Sequence, residues 1–429
     1  MQQNGQLKGY LIKNNLYKKL IIVHAIQGGL TMRIKRWLIK IKRGRLAKKT
    51  LKLIFFLAGK LPVKKKLIIF ESFHGKQYSD NPRAIYEYML KNHPEYTMYW
   101  SADRRHFELF EDLNVNYVKR FSLKWFLTMP RAKYWVVNAR LPLWIPKPNH
   151  TTYVQTWHGT PLKKLAADMD EVHMPGTNTN KYKKNFLYEA SKWDYLISPN
   201  AYSSEIFKRA FGFNKKVIES GYPRNDFLIN ANNDQSIREL KKSMNLPTDK
   251  KIILYAPTWR DNQFYTKGKY KFKLQMDLEQ MKKELGQDYI ILLRLHYLVA
   301  EKLDLTGYEG FIYNFSKHED IRELYIISDI LITDYSSVFF DYANLKRPMI
   351  FFVYDIEEYR DQLRGFYFDF EEKAPGPLVK TTEEIIKEIK QIEENDFSSS
   401  NRETEFYRKF CYLEDGKATE RVVHEVFDI

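Results

Sequence analysis

The sequence predicts an α/β protein in which two doubly wound domains face each other across a cleft, behind a basic helical leader. The chain has 429 residues, 44% of them hydrophobic, and no proline-rich or low-complexity tract. At roughly 100 to 200 residues per domain, this length accommodates two domains and an appendage. After residue 62, short β-rich runs alternate with longer helical stretches, a pattern typical of parallel sheets with helices on both faces. Wholesale disorder and fibrous classes are excluded.

Two series of short apolar runs are predicted as strands. The first series is 67–73, 98–101, 134–138, 152–156, 195–198 and 217–220, and the second is 251–255, 289–295, 310–314, 330–333 and 349–353. Predicted helices between them include 82–92, 203–211, 274–285, 321–327 and 338–343. A polar, turn-prone stretch at 230–250 marks the boundary. We therefore predict domains at 63–235 and 236–390, with helices in 391–429 that pack back on the body.

The excess positive charge lies at one end of the chain. Residues 1–70 hold 18 of the 70 Lys and Arg and no Asp or Glu, so 52 basic residues remain against 53 acidic ones in the other 359. The body is therefore nearly neutral, and the first segment is suited to an anionic partner, either phospholipid headgroups or a nucleic-acid backbone.

The leader, residues 1–62, is predicted to lie on a membrane without crossing it. Its longest apolar run, 53–59, is far below the roughly 20 residues that a spanning helix needs. A signal peptide is disfavoured because the run 20–26 is interrupted by His24 and no cleavage site follows. An apolar stripe at helical spacing, flanked by Lys and Arg, is typical of an interfacial helix. Its members are Ile34, Trp37, Leu38, Ile41, Leu46, Leu51, Ile54, Phe55 and Leu57.

Two other interpretations of the leader stay open. Its apolar face could pack on the body while its charges are only solvated. Nucleic-acid binding is disfavoured because no recognised motif accompanies the charge.

Translation could start at Met1 or at Met32. The single cysteine, Cys411, excludes an intrachain disulfide and fits a reducing, cytosolic compartment.

Histidines follow one strand in each predicted domain, where ligands of doubly wound sheets bind. His158 follows 152–156 and precedes a predicted helix start, and His296 follows Arg294 and Leu295 at the end of 289–295. A neutral imidazole can accept a proton from an attacking hydroxyl near pH 7. The alternative is that either histidine is structural.

Other strand ends carry groups suited to phosphate. Ser336 and Ser337 follow 330–333 at a predicted helix start, where oriented amides bind anions; the alternative is simple N-capping. Arg224 follows 217–220, and the segment Thr258, Trp259, Arg260 follows 251–255. Arginine can bridge two phosphate oxygens, although ion pairs of Arg224 with Asp226 and Arg260 with Asp261 are an equal alternative. No metal-ligand, Walker or GxGxxG pattern is present, so no metal or other cofactor is expected.

Six motifs, in order, make the chain resemble the CDP-glycerol glycerophosphotransferases of wall teichoic acid synthesis in Gram-positive bacteria. They are QTWHGTPLKKL, SPNAYSSEIF, ESGYPRND, YAPTWRD, LLRLHYLV and TDYSSVFFDYA, and the likeness runs from about residue 67 to 413. The resemblance implies a glycosyltransferase-B-like fold. It implies that His158 and His296 are essential, and that donor contacts come from Gly159, Thr160, Pro161, Leu162, Arg224, Thr258, Trp259, Arg294, Ser336, Ser337 and Asp341. We add Arg260 and Leu295 as neighbours in the same loops.

The resemblance also implies a reaction and a location. Glycerol phosphate would pass from CDP-glycerol to the glycerol-phosphate end of a polyprenyl-linked disaccharide, with release of CMP, at the cytoplasmic face of the membrane. His158 would be the base, while His296, Arg294 and the two serines hold the diphosphate. The short leader favours addition of one or a few units. Three alternatives stay open: a ribitol-phosphate enzyme, a nucleotide-sugar glycosyltransferase of the same fold, and a basic binding protein without catalysis. As partners, the chain could have further copies of itself or a cell-wall synthesis complex.

Overall fold

The computed structural model describes residues 45–172, 177–258, 264–266, 269–270, 274–295, 303–360, 365–395, 400–427 and 429. Within them lie a seven-stranded sheet, a six-stranded sheet and a two-stranded hairpin. Every strand pair in the two large sheets is parallel. The predicted fold of two doubly wound domains is confirmed.

The first domain is built on the seven-stranded sheet, in the order β3-β2-β1-β4-β5-β6-β7. Its strands are β1 Lys64–Glu71, β2 Thr97–Ala102, β3 Tyr117–Lys119, β4 Ala132–Val137, β5 Thr152–Gln155, β6 Tyr195–Ser198 and β7 Lys216–Glu219. Its α-helices are α1 Arg45–Ala58, α2 Asp80–Asn92, α3 Phe107–Asp112, α4 Leu123–Thr128, α5 Thr179–Ala190 and α6 Ala201–Phe211.

The second domain is built on the six-stranded sheet, in the order β12-β11-β8-β13-β14-β15. The strands after β7 are β8 Lys251–Tyr255, β9 Phe264–Thr266, β10 Lys269–Tyr270, β11 Tyr289–Leu293, β12 Ile312–Asn314, β13 Ile330–Thr333, β14 Met349–Phe352 and β15 Leu378–Val379. The helices are α7 Asp226–Asn230, α8 Asp234–Ser243, α9 Leu278–Leu285, α10 Ile321–Ile327, α11 Val338–Tyr342, α12 Ile356–Glu358, α13 Phe370–Lys373, α14 Thr382–Glu394, α15 Asn401–Phe410 and α16 Ala418–Val426.

Both faces of each sheet are buried, which explains the continuous apolar runs in the sequence. In β1, Leu67 and Ile69 belong to one core cluster and Ile68 and Phe70 to another on the opposite face. Side chains of a strand alternate between faces, and parallel sheets covered by helices bury both. Because the strands of each sheet run parallel, their carboxyl ends lie at a common edge of that sheet.

The domain boundary and several strands differ from prediction. The predicted division after residue 235 falls inside α8, and Leu228 of α7 already packs in a core cluster of the second sheet. The strand predicted at 289–295 ends at Leu293, so the last two predicted positions lie in the loop beyond it. Edge strands β3 and β15 were not predicted; they have only three and two residues, too few to show a pattern.

The described part of the leader forms α1, which is apolar on two sides. Phe55 is fully buried, and its ring meets those of Trp125, Phe126 and Trp135 at centroid distances of 5.5, 6.3 and 6.0 Å. Other apolar side chains of the same helix and the residues after it point outward and are 41 to 56% exposed: Leu53, Ile54, Phe56, Leu57 and Leu61. The helix therefore packs on the body, as one interpretation expected, and also presents an apolar face to the outside. Stripe members Ile34, Trp37, Leu38 and Ile41 lie outside the described residues, and so does the side chain of Leu46. No helix in the described ranges is both long and apolar enough to cross a membrane.

The C-terminal segment returns to the first domain. Val422, Val423 and Phe427 pack in the same core cluster as Phe70 of β1. Just before α16, the buried carboxyl of Glu414 accepts hydrogen bonds at 3.0 Å from the backbone N–H of Tyr222 and from Asn225 Nδ2. Burial raises the pKa of Glu414 to about 8. The folded protein therefore keeps this carboxyl protonated at neutral pH.

Glu414→Gln is expected to reduce the loss of stability at alkaline pH. The unfolded chain releases this proton near the usual value of 4.5 and the folded protein only near 8, so folding is disfavoured as the pH rises between them. From about pH 6 to 8, wild type should lose about 2 kcal/mol more of its free energy of unfolding than Glu414→Gln. Urea unfolding at both pH values measures this, with exposed Glu405→Gln as control; parallel pH curves for wild type and Glu414→Gln would disprove it.

Candidate functional site

His158 lies just beyond β5, fixed in place by three contacts. Its Nδ1 is 2.7 Å from the carbonyl oxygen of Asn138, which follows β4. Its ring stacks on Trp157, with centroids 4.5 Å apart, and meets the edge of Phe73 at 5.6 Å. A carbonyl oxygen only accepts hydrogen bonds, so Nδ1 carries the proton and Nε2 carries the lone pair. This arrangement leaves Nε2 able to act as a base.

The surroundings of His158 keep the ring neutral. Burial lowers its pKa and the nearby guanidinium of Arg224 adds to this, while Asp80 and the Asn138 carbonyl act in the opposite direction. The net result is a pKa below the usual value of 6.5 for histidine. Near pH 7 the imidazole is therefore unprotonated, which is the state that a general base requires.

A pair of polar residues at the start of α2 holds the loops around His158. Asp80 Oδ2 accepts a hydrogen bond from Asn138 Nδ2 at 2.5 Å. Asn81 Nδ2 donates to the carbonyl oxygens of residues 156 and 157 at 3.3 and 3.2 Å, and its Oδ1 accepts from the backbone N–H of Arg224 at 3.1 Å. These contacts tie together the loops after β4, β5 and β7.

Four residues near His158 have strained backbone conformations. Phe73, His74, Asp80 and Trp157 have φ angles of 45°, 65°, 66° and 51°, in the left-handed region that disfavours side chains. Such conformations persist where the surrounding structure enforces them, commonly at functional sites.

The segment after His158 reaches across to the second domain. A Cβ placed on Gly159 would lie 3.0 Å from Ser337 Oγ, so the two loops are in direct apposition. Leu162 is 1% exposed and packs in a core cluster of the second sheet, and its carbonyl oxygen accepts a hydrogen bond from the Tyr367 N–H at 2.8 Å. Thr160 and Pro161 are also buried. The helix predicted to begin here is absent; a 3₁₀ turn, Ala166–Asp168, follows, because the backbone of this segment bonds with residues 365–367 instead.

Ser336 and Ser337 lie between β13 and α11, partly exposed and opposite the His158 loop. Ser337 is the residue before α11, but its side chain makes no capping hydrogen bond. The capping alternative is therefore wrong for Ser337, whose hydroxyl is directed instead at the Gly159 side of the cleft. Alongside, Asp334 Oδ1 accepts a hydrogen bond from the Thr258 backbone N–H at 2.8 Å, which fixes the loop after β8.

Arg294 and Leu295 follow β11 with different environments. Arg294 Nη1 donates to the carbonyl oxygens of residues 315 and 316 at 2.9 and 2.8 Å, and burial lowers its pKa. Leu295 is 3% exposed and packs in a core cluster, while its N–H donates to Ser316 Oγ at 3.0 Å. Arg294 thus brings a cation to this strand end, and Leu295 anchors the loop.

Arg224 connects the two domains through buried ion pairs. Its Nη1 is 2.6 Å from Asp80 Oδ1 in the first domain, and its Nη2 is 2.9 and 2.8 Å from the two carboxylate oxygens of Asp341 in the second. All three side chains are at most 10% exposed. Burial acts to lower the pKa of Arg224, but the two carboxylates outweigh it and raise that pKa well above its usual value. The alternative pairing of Arg224 with Asp226 is wrong, because Asp226 accepts hydrogen bonds from the backbone N–H groups of residues 418 and 419.

A second, partly buried ion pair connects the two domains nearby. Arg83 of α2 is 2.8 Å from Asp320 Oδ2, and Asp320 also binds the guanidinium of Arg322. Together with the Arg224 network, it sets how the first-domain loops meet those of the second.

The structure leaves part of the predicted site undescribed. Trp259, Arg260 and His296 lie outside the described residues, so the predicted apposition of two imidazoles stays a prediction. Donor contact by Arg224 and Asp341 also stays a prediction; what the structure shows is their ion pair. Sequence reasoning missed Asp80, Asn81 and Asn138, although an Asp-Asn pair before a helix and an Asn after a strand are signals that could have been used. In the described part of the chain no group of three or more His, Cys, Asp and Glu is placed to hold a metal.

The fold and this cleft define a two-domain α/β protein of the glycosyltransferase-B-like class, with loops of both sheets meeting at one site. Within that class, the chain belongs to the CDP-glycerol:poly(glycerophosphate) glycerophosphotransferase family, whose family model matches residues 53–428.

Named relatives and a solved structure agree with this family. The chain is 65% identical to a teichoic acid poly(glycerol phosphate) polymerase of Bacillus subtilis strain 168, over 92% of this chain and 53% of that protein. It is 61% identical to a protein of the same name from Bacillus spizizenii, over 87% of this chain and 95% of that protein. It therefore spans about half the length of the first relative and nearly all of the second. A structure of a variant of the wall teichoic acid polymerase TagF with CDPG superposes with a TM-score of 0.82 at 46% identity, covering 92% of this chain and 97% of that one.

Proposed function

We propose that this protein transfers glycerol phosphate from CDP-glycerol to the glycerol-phosphate end of a polyprenyl diphosphate-linked disaccharide and releases CMP. The observation that carries this is the neutral His158 with a free Nε2, held at a cleft where loops of both domains meet. Family membership supports this donor, and so do the names given above for two relatives and one solved structure, which refer to poly(glycerol phosphate) or to CDPG.

In the proposed reaction, His158 Nε2 takes the proton of the acceptor hydroxyl as its oxygen attacks the β-phosphorus. The new P–O bond forms while the bond to the oxygen of CMP breaks, so CMP leaves with the electron pair. Preorganised donors stabilise the charge that develops on the leaving group. We assign this role to Arg294 and the Ser336-Ser337 loop, together with the predicted contribution of His296. The proposal invokes no metal or other cofactor.

Ser337→Ala is expected to weaken CDP-glycerol binding about tenfold, because one hydrogen bond to an anionic phosphate is lost. Since Ser337 Oγ makes no capping bond, the substitution should leave the melting temperature nearly unchanged. Calorimetric titration with CDP-glycerol measures the affinity, and Ser243→Ala, on the exposed end of α8, is the control. An unaltered affinity would remove Ser337 from the donor site.

We also assign a peripheral position on an anionic membrane surface, which a polyprenyl-linked acceptor requires. The outward face of α1 and its exposed Lys48, Lys49 and Lys52 support this. Phe56→Ser with Leu57→Ser should lower binding to phosphatidylglycerol vesicles at least about tenfold, since two half-exposed apolar side chains are lost. Co-sedimentation measures it, with Leu90→Ser and Leu113→Ser as a control pair of similar exposure. Equal binding by both pairs would contradict the assignment.

The proposed function is tested by supplying a synthetic lipid-linked acceptor with CDP-glycerol, CDP-ribitol or a UDP-sugar. We expect CMP and a product heavier by glycerol phosphate units only with CDP-glycerol; product mass also counts the units added. Preferential use of CDP-ribitol would identify the ribitol-phosphate alternative, and UDP release would identify a glycosyltransferase. Absence of turnover with all donors would favour a binding protein.

A further inference from the structure

A cavity of about 480 Å³ opens beside His158 within the first domain. Its wall includes His74, Arg120 and Arg140 as well as His158, and the aromatic side chains of Trp157, Tyr182 and Phe186. This volume is in the range of small-molecule sites. The cavity lies on the first-domain side of the histidine, whereas the serine loop opposes it from the second domain.

The charges of the wall leave one cation unpaired. Arg120 Nη2 lies 3.1 Å from Glu71 Oε1, so this guanidinium already has a buried acidic partner. Glu189, the acidic residue of the wall, is fully buried, and its carboxylate accepts hydrogen bonds from Tyr153 Oη at 2.8 Å and Trp193 Nε1 at 2.7 Å. Burial raises the pKa of Glu189, although its hydrogen bonds and the nearby cations Lys192 and Arg140 act in the opposite direction. Arg140, among the described residues, forms no ion pair within 4.0 Å.

Arg140 is held ready for an anion. Its guanidinium lies over the rings of Phe186 and Tyr182, at 4.3 and 5.4 Å from their centroids. A guanidinium stacked in this way keeps its N–H groups, which lie in its plane, available to bridge phosphate oxygens. Burial, with the added effect of the nearby cations Arg120, Lys76 and Arg140, lowers the pKa of His74 to about 4.

We propose that this cavity is the acceptor site and that Arg140 binds the phosphate next to the attacking hydroxyl. The inference rests on the proposed function, because a glycerol-phosphate end carries a hydroxyl and an anionic phosphate only a few bonds apart. With the phosphate on Arg140, the hydroxyl lies in the same cavity as His158. The enzyme thereby selects acceptors that already end in a phosphate-bearing unit.

Steady-state rates at varied acceptor concentration test this in wild type, Arg140→Ala and Arg140→Lys. We expect Arg140→Ala to raise the acceptor KM about 10- to 100-fold, as for loss of a charge-assisted pair, with CDP-glycerol affinity within about twofold of wild type. Arg140→Lys, which keeps the charge without the fork, should fall between. Arg402→Ala, an exposed arginine on α15, should match wild type. An unchanged acceptor KM in Arg140→Ala overturns the proposal.

Binding of sn-glycerol 3-phosphate provides a readout that does not depend on turnover or on how well Arg140→Ala folds. Calorimetric titration of wild type should show saturable binding that the acceptor displaces and CDP-glycerol does not, and Arg140→Lys should weaken it. Binding that only CDP-glycerol displaces, or no binding at all, overturns the assignment of this cavity as the acceptor site. If wild type fails to release CMP from CDP-glycerol, the proposed function fails, and this titration still decides whether the cavity binds an anion.

Discussion

Replacing His158 with alanine is expected to lower the rate of CMP release by about 10²- to 10⁴-fold, the usual contribution of a general base. The ring that would accept the proton is lost, while the contacts expected to hold the donor come mainly from the second domain. CDP-glycerol affinity should therefore stay within about twofold of wild type. Rapid-quench measurement of CMP, with calorimetric titration of the donor on the same samples, separates the two effects.

His424→Ala is the matched control, because this histidine is exposed on α16 and far along the chain from the cleft loops. It should behave as wild type in both measurements. Full turnover by His158→Ala would remove the imidazole from the mechanism. Loss of donor affinity equal to the loss of rate would instead make His158 a donor contact.

Replacing Arg224 with methionine is expected to have the largest effect on stability, about 3 to 5 kcal/mol, because two carboxylates would remain buried without their cation. Asp80 and Asp341 belong to different domains, so their joint loss of a partner should also disturb how the cleft loops meet. Transfer should fall together with the melting temperature. Removing the carboxylates as well, by Asp80→Asn and Asp341→Asn, should restore part of the stability.

Arg105→Met provides the comparison, since this arginine pairs with Asp103 at the surface with 73% of its side chain exposed. Exposed pairs contribute at most about 1 kcal/mol. Thermal and urea unfolding of both variants measure the difference. A cost for Arg224→Met no greater than for Arg105→Met would show that the buried network does not hold the domains together.

The sequence predicted the fold well because each sheet is buried on both faces. Strands 195–198, 251–255 and 330–333 and helix 321–327 occur at the predicted residues. Here local apolar patterning and flanking polar residues determine the element. Strands β3 and β15 have too few residues to show an apolar pattern, so they were not predicted.

The sequence predicted individual residues of the site but not the contacts between them. Strand ends identified His158 and the serines, since parallel strands bring their carboxyl ends to one edge. Prediction could not supply the partners, because Arg224 meets residues 144 and 117 positions away along the chain. The sequence also could not show that the segment after Gly159 forms backbone contacts with residues 365–367 and not the predicted helix. Such contacts depend on how the two domains pack.

The pH dependence of kcat/KM, in wild type and in His158→Ala from about pH 4.5 to 8, tests the role of the imidazole most directly. A base works only when unprotonated, and the pKa of His158 is lowered, so wild-type rates should stay level down to below pH 6.5 and then fall. The residual rate of His158→Ala should lack this acid limb. The same limb, unchanged in the variant, would contradict the account.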